Sequence, residues 1–131
     1  MKGKTKGSNA ERELIHLFWS NGWAPIRVAG SGSAPIPNPD VIAGNGLRRV
    51  AVEAKSSGKS AIYIEKNGIK ELERFCLLFG AEPWVGVRFN KEKWYFLKTN
   101  ELNESDKNFV ISLNFAKEKG VLFETLISND K

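Results

Sequence analysis

The segment around residues 39–55 constrains the fold of this chain more than any other. The dipeptide Pro39-Asp40 is followed, after twelve intervening residues, by Glu53-Ala54-Lys55. Two short apolar runs lie between these motifs, separated by a Gly-Asn-Gly sequence at 44–46 that is typical of a tight turn. The segment therefore predicts two antiparallel strands, with Asp40 opening the first and Glu53 near the end of the second.

This hairpin would bring two carboxylates to neighbouring positions. Side chains alternate along a strand, so Glu53 and Lys55 point to the same face. Two close carboxylates repel each other unless a proton or metal ion lies between them. Mg²⁺, with Mn²⁺ as a substitute, suits such oxygen ligands and neutralises charge that builds on a phosphodiester. The spacing predicts a metal site at Asp40 and Glu53, with Lys55 placed to orient or deprotonate a water molecule.

The same residues have a simpler interpretation. A Glu-x-Lys pair alone is more often a solvated strand face, and Asp40 could be a turn residue after proline. The Pro-Asp motif, the intervening hairpin and the basic chain together favour the metal site.

A third acid comes from a predicted helix over 9–21, with Asn9 as its N-cap and Gly22 ending it. Glu11 lies one turn before the apolar stripe of this helix and points toward the core, whereas Glu13 points toward water. A charge on the core side is costly unless it is paired or holds a metal. Glu11 is therefore a candidate ligand, although a helix N-terminal acid favoured by the macrodipole is the plain alternative.

The rest of the chain alternates extended and helical patterns around a Gly- and Pro-rich loop at 30–39. Further strands are predicted at 23–29, 61–64, 83–89, 94–98 and 109–113, and further helices at 68–79 and 121–127. The 131 residues show no repeat or linker and predict one domain, 1–131, in which 1–8 form a basic flexible arm. The element order predicts a mixed sheet flanked by helices, an α/β or α+β fold.

The charge balance favours a polyanionic partner. Lys and Arg outnumber Asp and Glu by 20 to 15. The single cysteine, Cys76, excludes an internal disulfide, and no apolar run reaches the length of a signal peptide or membrane span. We expect a cytoplasmic DNA-associated protein with no membrane partner and no organic cofactor. Because no zinc finger or recognition-helix motif occurs, we expect recognition of DNA shape.

Five motifs in order carry a family resemblance. They are NAERELI from Asn9 to Ile15, Arg27, PDVIAGNG from Pro39 to Gly46, VEAK from Val52 to Lys55 and VGVRF from Val85 to Phe89. Together they resemble the archaeal-type Holliday junction resolvases of the PD-(D/E)XK nuclease superfamily. The resemblance runs from about Gly7 to Leu97 and does not cover the tail after Leu102. It implies a restriction-endonuclease-like core with a central five-stranded mixed sheet.

The resemblance also implies an activity and its residues. The activity is Mg²⁺-dependent cleavage of four-way DNA junctions into paired symmetric nicks, in recombination and repair. Glu11, Asp40 and Glu53 would be the metal-binding acids and Lys55 the catalytic lysine. Ser31 matches a serine that assists cleavage in some members, with Ser33 as the alternate.

Several basic residues are predicted to contact DNA. The family's basic residues match Arg12 and Arg27, and less closely Arg88. The lysines that precede the first helix are expected to reach phosphates without reading sequence. These lysines are Lys2, Lys4 and Lys6, and the secondary candidates are Arg48, Arg49 and Lys59.

Members of this family act as two-fold homodimers, which suits a junction with two symmetric strands to cut. The helix at 68–79 is apolar around more than one stripe, which leaves apolar surface after the core is covered. Leu72, Phe75 and Phe79 are the predicted interface residues, with core packing as the alternative for each. Two other functions stay open: a different nuclease on the same core, and a non-catalytic DNA-binding protein.

Overall fold

A computed structural model describes residues 2–28 and 36–128, with side chains from residue 9 onward. Its helices are α1 (Lys2–Ser20), α2 (Lys66–Phe79), α3 (Leu113–Lys119) and α4 (Phe123–Ser128). Its strands are β1 (Ala24–Arg27), β2 (Val41–Gly44), β3 (Arg49–Ser57), β4 (Ala61–Glu65), β5 (Glu82–Phe89), β6 (Trp94–Lys98), β7 (Asn103–Ser105) and β8 (Asn108–Ser112). A short 3-10 helix covers Thr99–Glu101. None of the helices in these ranges is long and apolar enough to cross a membrane.

The central sheet has five strands in the order β1-β2-β3-β5-β6. The β3–β5 pair is parallel and the other pairs are antiparallel. A parallel pair requires a crossover, which β4 and α2 supply here. The predicted five-stranded mixed sheet flanked by helices is confirmed.

The predicted motif hairpin is also confirmed. Strands β2 and β3 pair antiparallel, with Val41 opposite Val52. Gly46 takes a φ of 96° in the turn, a left-handed conformation that favours glycine. The Asn45 side chain accepts hydrogen bonds from the backbone amides of Leu47 (2.9 Å) and Arg48 (2.7 Å). This turn fixes the register that brings Asp40 next to the middle of β3.

Helix α1 covers one face of the sheet. Leu14 and Phe18 are fully buried against Val52 and its neighbours on the sheet. The opposite face is covered by α2, whose Leu72 and Cys76 pack on Ala51, and by a second sheet. Trp23, Trp84 and Trp94 are buried in the core on the α1 side of the sheet.

The second sheet, in the order β4-β8-β7, was not predicted as a sheet. Strands near 61–64 and 109–113 were predicted, but nothing in the sequence says that they pair with each other. Strand β7 is three polar residues, all exposed, so it has no apolar periodicity to detect. Helix α3 is short and depends on a local contact, in which the Ser112 side chain accepts from the amide of Phe115.

The start of α1 differs from the prediction. The helix begins at Lys2, so Asn9 lies inside it and the backbone of 2–8, predicted as a flexible arm, is helical. Gly3 and Gly7 each cost about 1 kcal/mol in a helix interior, which concealed this extension in the sequence. Adding residues to an existing helix costs far less than nucleating one, so the buried part of α1 can support the earlier turns.

Candidate active site

Asp40 is held beside the middle of β3 by contacts with the backbone of that strand. Its amide donates to the carbonyl oxygen of Val52 (3.1 Å), and the amide of Ala54 donates to its Oδ2 (2.9 Å). These two bonds place the Asp40 carboxylate next to Glu53. The two motif acids therefore meet, as the hairpin predicted.

Glu53 carries the strongest electrostatic perturbation of the site. Its side chain is 26% exposed, and its Oε2 lies 3.4 Å from Nζ of Lys55. Burial and the negative charge of Asp40 raise the pKa of Glu53 to about 7, and Lys55 opposes this rise. The pair is thus strained by like charge, and a cation between the carboxylates would relieve that strain.

Glu11 approaches the same site from α1. It is half-buried, and its Oε1 accepts a 2.9 Å hydrogen bond from Nε of Arg27 on β1. Burial and Asp40 raise the pKa of Glu11, while Arg27 and Lys55 lower it. The predicted core-side orientation of Glu11 is confirmed, and its charge is coupled to both Asp40 and Lys55.

The donor chemistry of the site fits a hard divalent cation. Carboxylate oxygens are the ligands that Mg²⁺ prefers, and the repulsion between Asp40 and Glu53 favours such an ion. Across the described ranges, no group of three or more His, Cys, Asp or Glu side chains is arranged to hold a metal ion. The fit to a cation therefore rests on the Asp40–Glu53 pair, and Glu11 is close enough for its charge to interact with both acids. His16 is exposed and Cys76 is buried in the core.

Glu13 is 45% exposed, as the helical period predicted, but it is also bonded to the sheet. Its Oε1 accepts hydrogen bonds from Nε1 of Trp94 (2.7 Å) and from Nε of Arg88 (2.9 Å). These contacts lower the pKa of Glu13. Arg88 and Trp94 are cross-strand partners on β5 and β6. They lie 75 and 81 residues from Glu13, so only the fold brings them together.

Arg88, which was predicted to bind DNA, is bonded mainly within the protein, and its side chain is 30% exposed. Besides Glu13, it donates from Nη1 to the backbone oxygens of Phe89 (3.2 Å) and Glu92. Most of its donors are therefore used within the protein.

The other basic residues predicted to contact DNA are either exposed, bonded within the protein, or outside the described residues. Arg12 is exposed on α1, and Arg27 is bonded to Glu11. Arg48 is only 8% exposed and forms a bidentate pair with Glu82, so the suggestion that it contacts DNA was wrong. Arg49 and Lys59 are exposed. The candidate serines, Ser31 and Ser33, and the side chains of Lys2, Lys4 and Lys6 lie outside the described residues.

The predicted interface residues on α2 do not share one environment. Leu72 is 4% exposed and packs in the core, so it has no surface to offer a partner and its assignment is corrected. Phe75 is half-buried and Phe79 is 51% exposed, and their rings stack with centroids 5.2 Å apart. Leu77 and Leu78 beside them are 84% and 77% exposed. The C-terminal part of α2 therefore carries an apolar surface.

The mixed sheet, the acid pair at its centre and the Glu-x-Lys strand define a restriction-endonuclease-like nuclease core. Within that class, the family model described as "Archaeal holliday junction resolvase (hjc)" matches residues 2–131. The chain belongs to this family. The match includes the tail after Leu102, which the sequence resemblance did not cover.

Similar proteins agree with the family match. The chain is 40% identical over 108 residues to crossover junction endodeoxyribonuclease Hjc of Archaeoglobus fulgidus, covering 82% of this chain and 79% of the relative. It is 39% identical over 106 residues to the Hjc of Methanocaldococcus jannaschii, covering 81% and 75%. The solved structure of A. fulgidus Hjc, described as a Holliday junction resolvase from an archaeal hyperthermophile, superposes with a TM-score of 0.85 at 31% identity, over 95% of this chain and 97% of that one.

Proposed function

We propose that this protein is a Mg²⁺-dependent endonuclease that resolves four-way DNA junctions into paired symmetric nicks. The observation that carries the proposal is the acid pair Asp40 and Glu53 with Lys55 3.4 Å from Glu53. Membership of the resolvase family and the names of the relatives support a branched DNA substrate.

Each residue of the site has a chemical role in this proposal. Asp40 and Glu53, with Glu11, would hold the cation, which when bound supplies a polarised water and neutralises charge on the phosphate. Lys55 would orient that water or take its proton, and would stabilise negative charge on the phosphate oxygens. The water oxygen forms one bond to phosphorus as the bond from phosphorus to the leaving sugar oxygen breaks. Ser31, or Ser33, is proposed to assist.

Binding of DNA is assigned to a basic surface next to the acids. Arg12 follows Glu11 directly and is exposed, and Arg27 holds Glu11 at 2.9 Å while remaining 29% exposed. Both could contact phosphates near the scissile bond, with the lysines at 2, 4 and 6 extending the surface. Such contacts provide affinity without sequence specificity, as cleavage of a DNA shape requires.

We propose that the enzyme acts as a homodimer, since paired nicks need two sites. The apolar end of α2 (Phe75, Leu77, Leu78 and Phe79) is the surface that would mediate contact. Phe79→Glu should convert a dimer to a monomer in sedimentation, with unchanged circular dichroism. A wild-type protein that sediments as a monomer at micromolar concentration would contradict this assignment.

The testing experiment compares a synthetic four-way junction with linear duplex of the same sequence, with and without Mg²⁺, using the wild type and Asp40→Asn. Symmetric nicks in the junction alone, dependent on Mg²⁺ and absent with Asp40→Asn, are expected. Equal cutting of the duplex would instead indicate another nuclease on this core. Tight binding with no cutting by the wild type would indicate a DNA-binding protein.

A further inference from the structure

Helix α1 is tied to both edges of the central sheet within one turn of Glu11. On one flank, Arg27 of edge strand β1 donates to Glu11 at 2.9 Å. On the other flank, Trp94 of edge strand β6 and Arg88 of β5 donate to Glu13 at 2.7 and 2.9 Å. The helix is therefore fixed across the whole width of the sheet.

The side chains of Trp94 and Arg88, which donate to Glu13 on the second flank, are themselves held in place by other contacts. The indole of Trp94 is 4% exposed and stacks on Phe96, with ring centroids 5.8 Å apart, so its N–H is held in one direction. Arg88 is fixed by the backbone oxygens of Phe89 and Glu92 as well as by Glu13. A long side chain with these acceptors can support a neighbouring helix because it has little remaining rotational freedom.

The position of this contact links it to the site. Glu11 and Glu13 are two residues apart, which is about 3 Å along a helix axis. The cleft of about 200 Å³ beside Glu13 and Arg88 is also lined by Ser56, the residue after Lys55. A shift of α1 at Glu13 would therefore displace Glu11 relative to Asp40 and Glu53.

We propose that Glu13 is a positioning residue: its hydrogen bonds to Trp94 and Arg88 fix the turn of α1 that presents Glu11 to Asp40 and Glu53. The effect on cleavage rests on the nuclease function proposed above. In this arrangement Arg88 supports α1 and is not a DNA contact. Displacement of a reacting group by about 1 Å can cost on the order of 100-fold in rate, so a modest loosening of α1 is measurable.

The test uses Glu13→Gln and Trp94→Phe, with Glu118→Gln on α3 as the control. Glu118 is exposed, so its variant makes the same chemical change away from the site. Glu13→Gln should cut the junction about tenfold more slowly in single turnover, with metal-free junction affinity within about twofold of wild type. Trp94→Phe should slow cutting less, and the double variant should be no slower than Glu13→Gln, because both act through one contact.

Three further readouts do not depend on cleavage. In calorimetric titration of the DNA-free protein with Mn²⁺, Glu13→Gln should bind Mn²⁺ more weakly than the wild type does. The control Glu118→Gln should bind Mn²⁺ with wild-type affinity. Amide hydrogen exchange over residues 10–16 should be faster in Glu13→Gln. Arg88→Ala should leave the salt dependence of junction binding unchanged, whereas a phosphate contact would lower its slope by about 1.

A purely structural role for Glu13 would appear as a lower melting temperature with wild-type cleavage rate and Mn²⁺ affinity well below that temperature, and this would overturn the proposal. A parallel loss of junction affinity and rate in Glu13→Gln would also overturn it. If the wild type cuts neither the four-way junction nor the linear duplex, the proposed nuclease function is wrong. Mn²⁺ affinity and hydrogen exchange would still decide whether Glu13 positions the helix.

Discussion

Asp40→Asn should stabilise the metal-free protein while abolishing its activity. Burial and then the charge of Asp40 raise the pKa of Glu53 from 4.5 to about 7. A rise of this size opposes the ionised form by roughly 3 kcal/mol. Burial is the larger cause, so the charge of Asp40 contributes a smaller part, on the order of 1 kcal/mol. Asparagine keeps a side-chain oxygen for the amide of Ala54, which bonds Oδ2 of Asp40 at 2.9 Å, so the backbone contact is retained.

The pH dependence of this effect follows from the direction of the shift. Because the folded-state pKa of Glu53 is raised, the folded protein keeps its proton to higher pH than the unfolded chain does. Wild-type stability should therefore fall as pH rises from 4.5 to about 7, with the loss complete above that range. At pH 8 without metal, Asp40→Asn should melt about 3 °C above wild type, and near pH 5 the difference should disappear.

Scanning calorimetry at pH 5 and pH 8, with and without Mg²⁺, measures this effect. Mg²⁺ should raise the melting temperature of the wild type at pH 8, because the ion binds the folded state, and should have little effect on Asp40→Asn. An Asp40→Asn protein that melts below the wild type at pH 8 without metal would refute the reasoning. It would show that the carboxylate stabilises the fold more than it repels Glu53.

Three other variants test separate parts of the structure. Arg48→Met removes one partner of a buried ion pair and should lower the free energy of unfolding in urea by about 2 kcal/mol. This value is at the low end for a buried pair because Glu82 is partly exposed to solvent. An unchanged free energy of unfolding would contradict this prediction. Since Arg48 lowers the pKa of Glu82, its stabilisation is present above pH 4.5 and should shrink as pH falls below that value. Arg12→Ala should reduce the slope of log affinity for the junction against log salt concentration by about 1. An unchanged slope would show that Arg12 does not contact a DNA phosphate. Gly86→Ala places a Cβ 2.9 Å from the ring of Phe96 and should cost about 1–3 kcal/mol in thermal melting, so a wild-type melting temperature would show that the ring moves aside.

The motif hairpin and its acids could be predicted because their signals are local. The turn residues at 44–46 fix the register, and the alternation of side chains along a strand then places Glu53 and Lys55 together. Glu11 could be predicted for a similar reason, since one helical turn relates it to the apolar stripe. In each case the chemistry depends on residues within one element or one hairpin.

The missed features depend on contacts between distant parts of the chain. Glu13 faces away from the buried stripe of α1, and only the docking of α1 on the sheet brings Trp94 and Arg88 to it. Arg48 and Arg49 form a basic pair in sequence, but their side chains separate. Arg48 turns inward to Glu82 and the backbone oxygen of Leu126 (2.8 Å), and Arg49 stays exposed.

The sequence could have given one signal for the Glu13 contact. Arg88 and Trp94 lie at the facing ends of two strands that the sequence predicts, at 83–89 and 94–98, and the structure pairs them directly. A basic side chain beside a large aromatic one on a sheet face covered by a helix needs hydrogen-bond partners, and an acid on that helix is one candidate. Glu13 was available for this role.

The measurement that tests the proposed division of roles most directly is cleavage and binding of one four-way junction by Glu53→Gln and wild type, in the same Mg²⁺ buffer and with the same DNA. We expect Glu53→Gln to bind the junction with wild-type affinity and to cut neither strand, because the acids provide the chemistry and the basic surface provides the binding. Loss of binding together with cutting would show that Glu53 is structural, and retention of cutting would show that the catalytic site lies elsewhere.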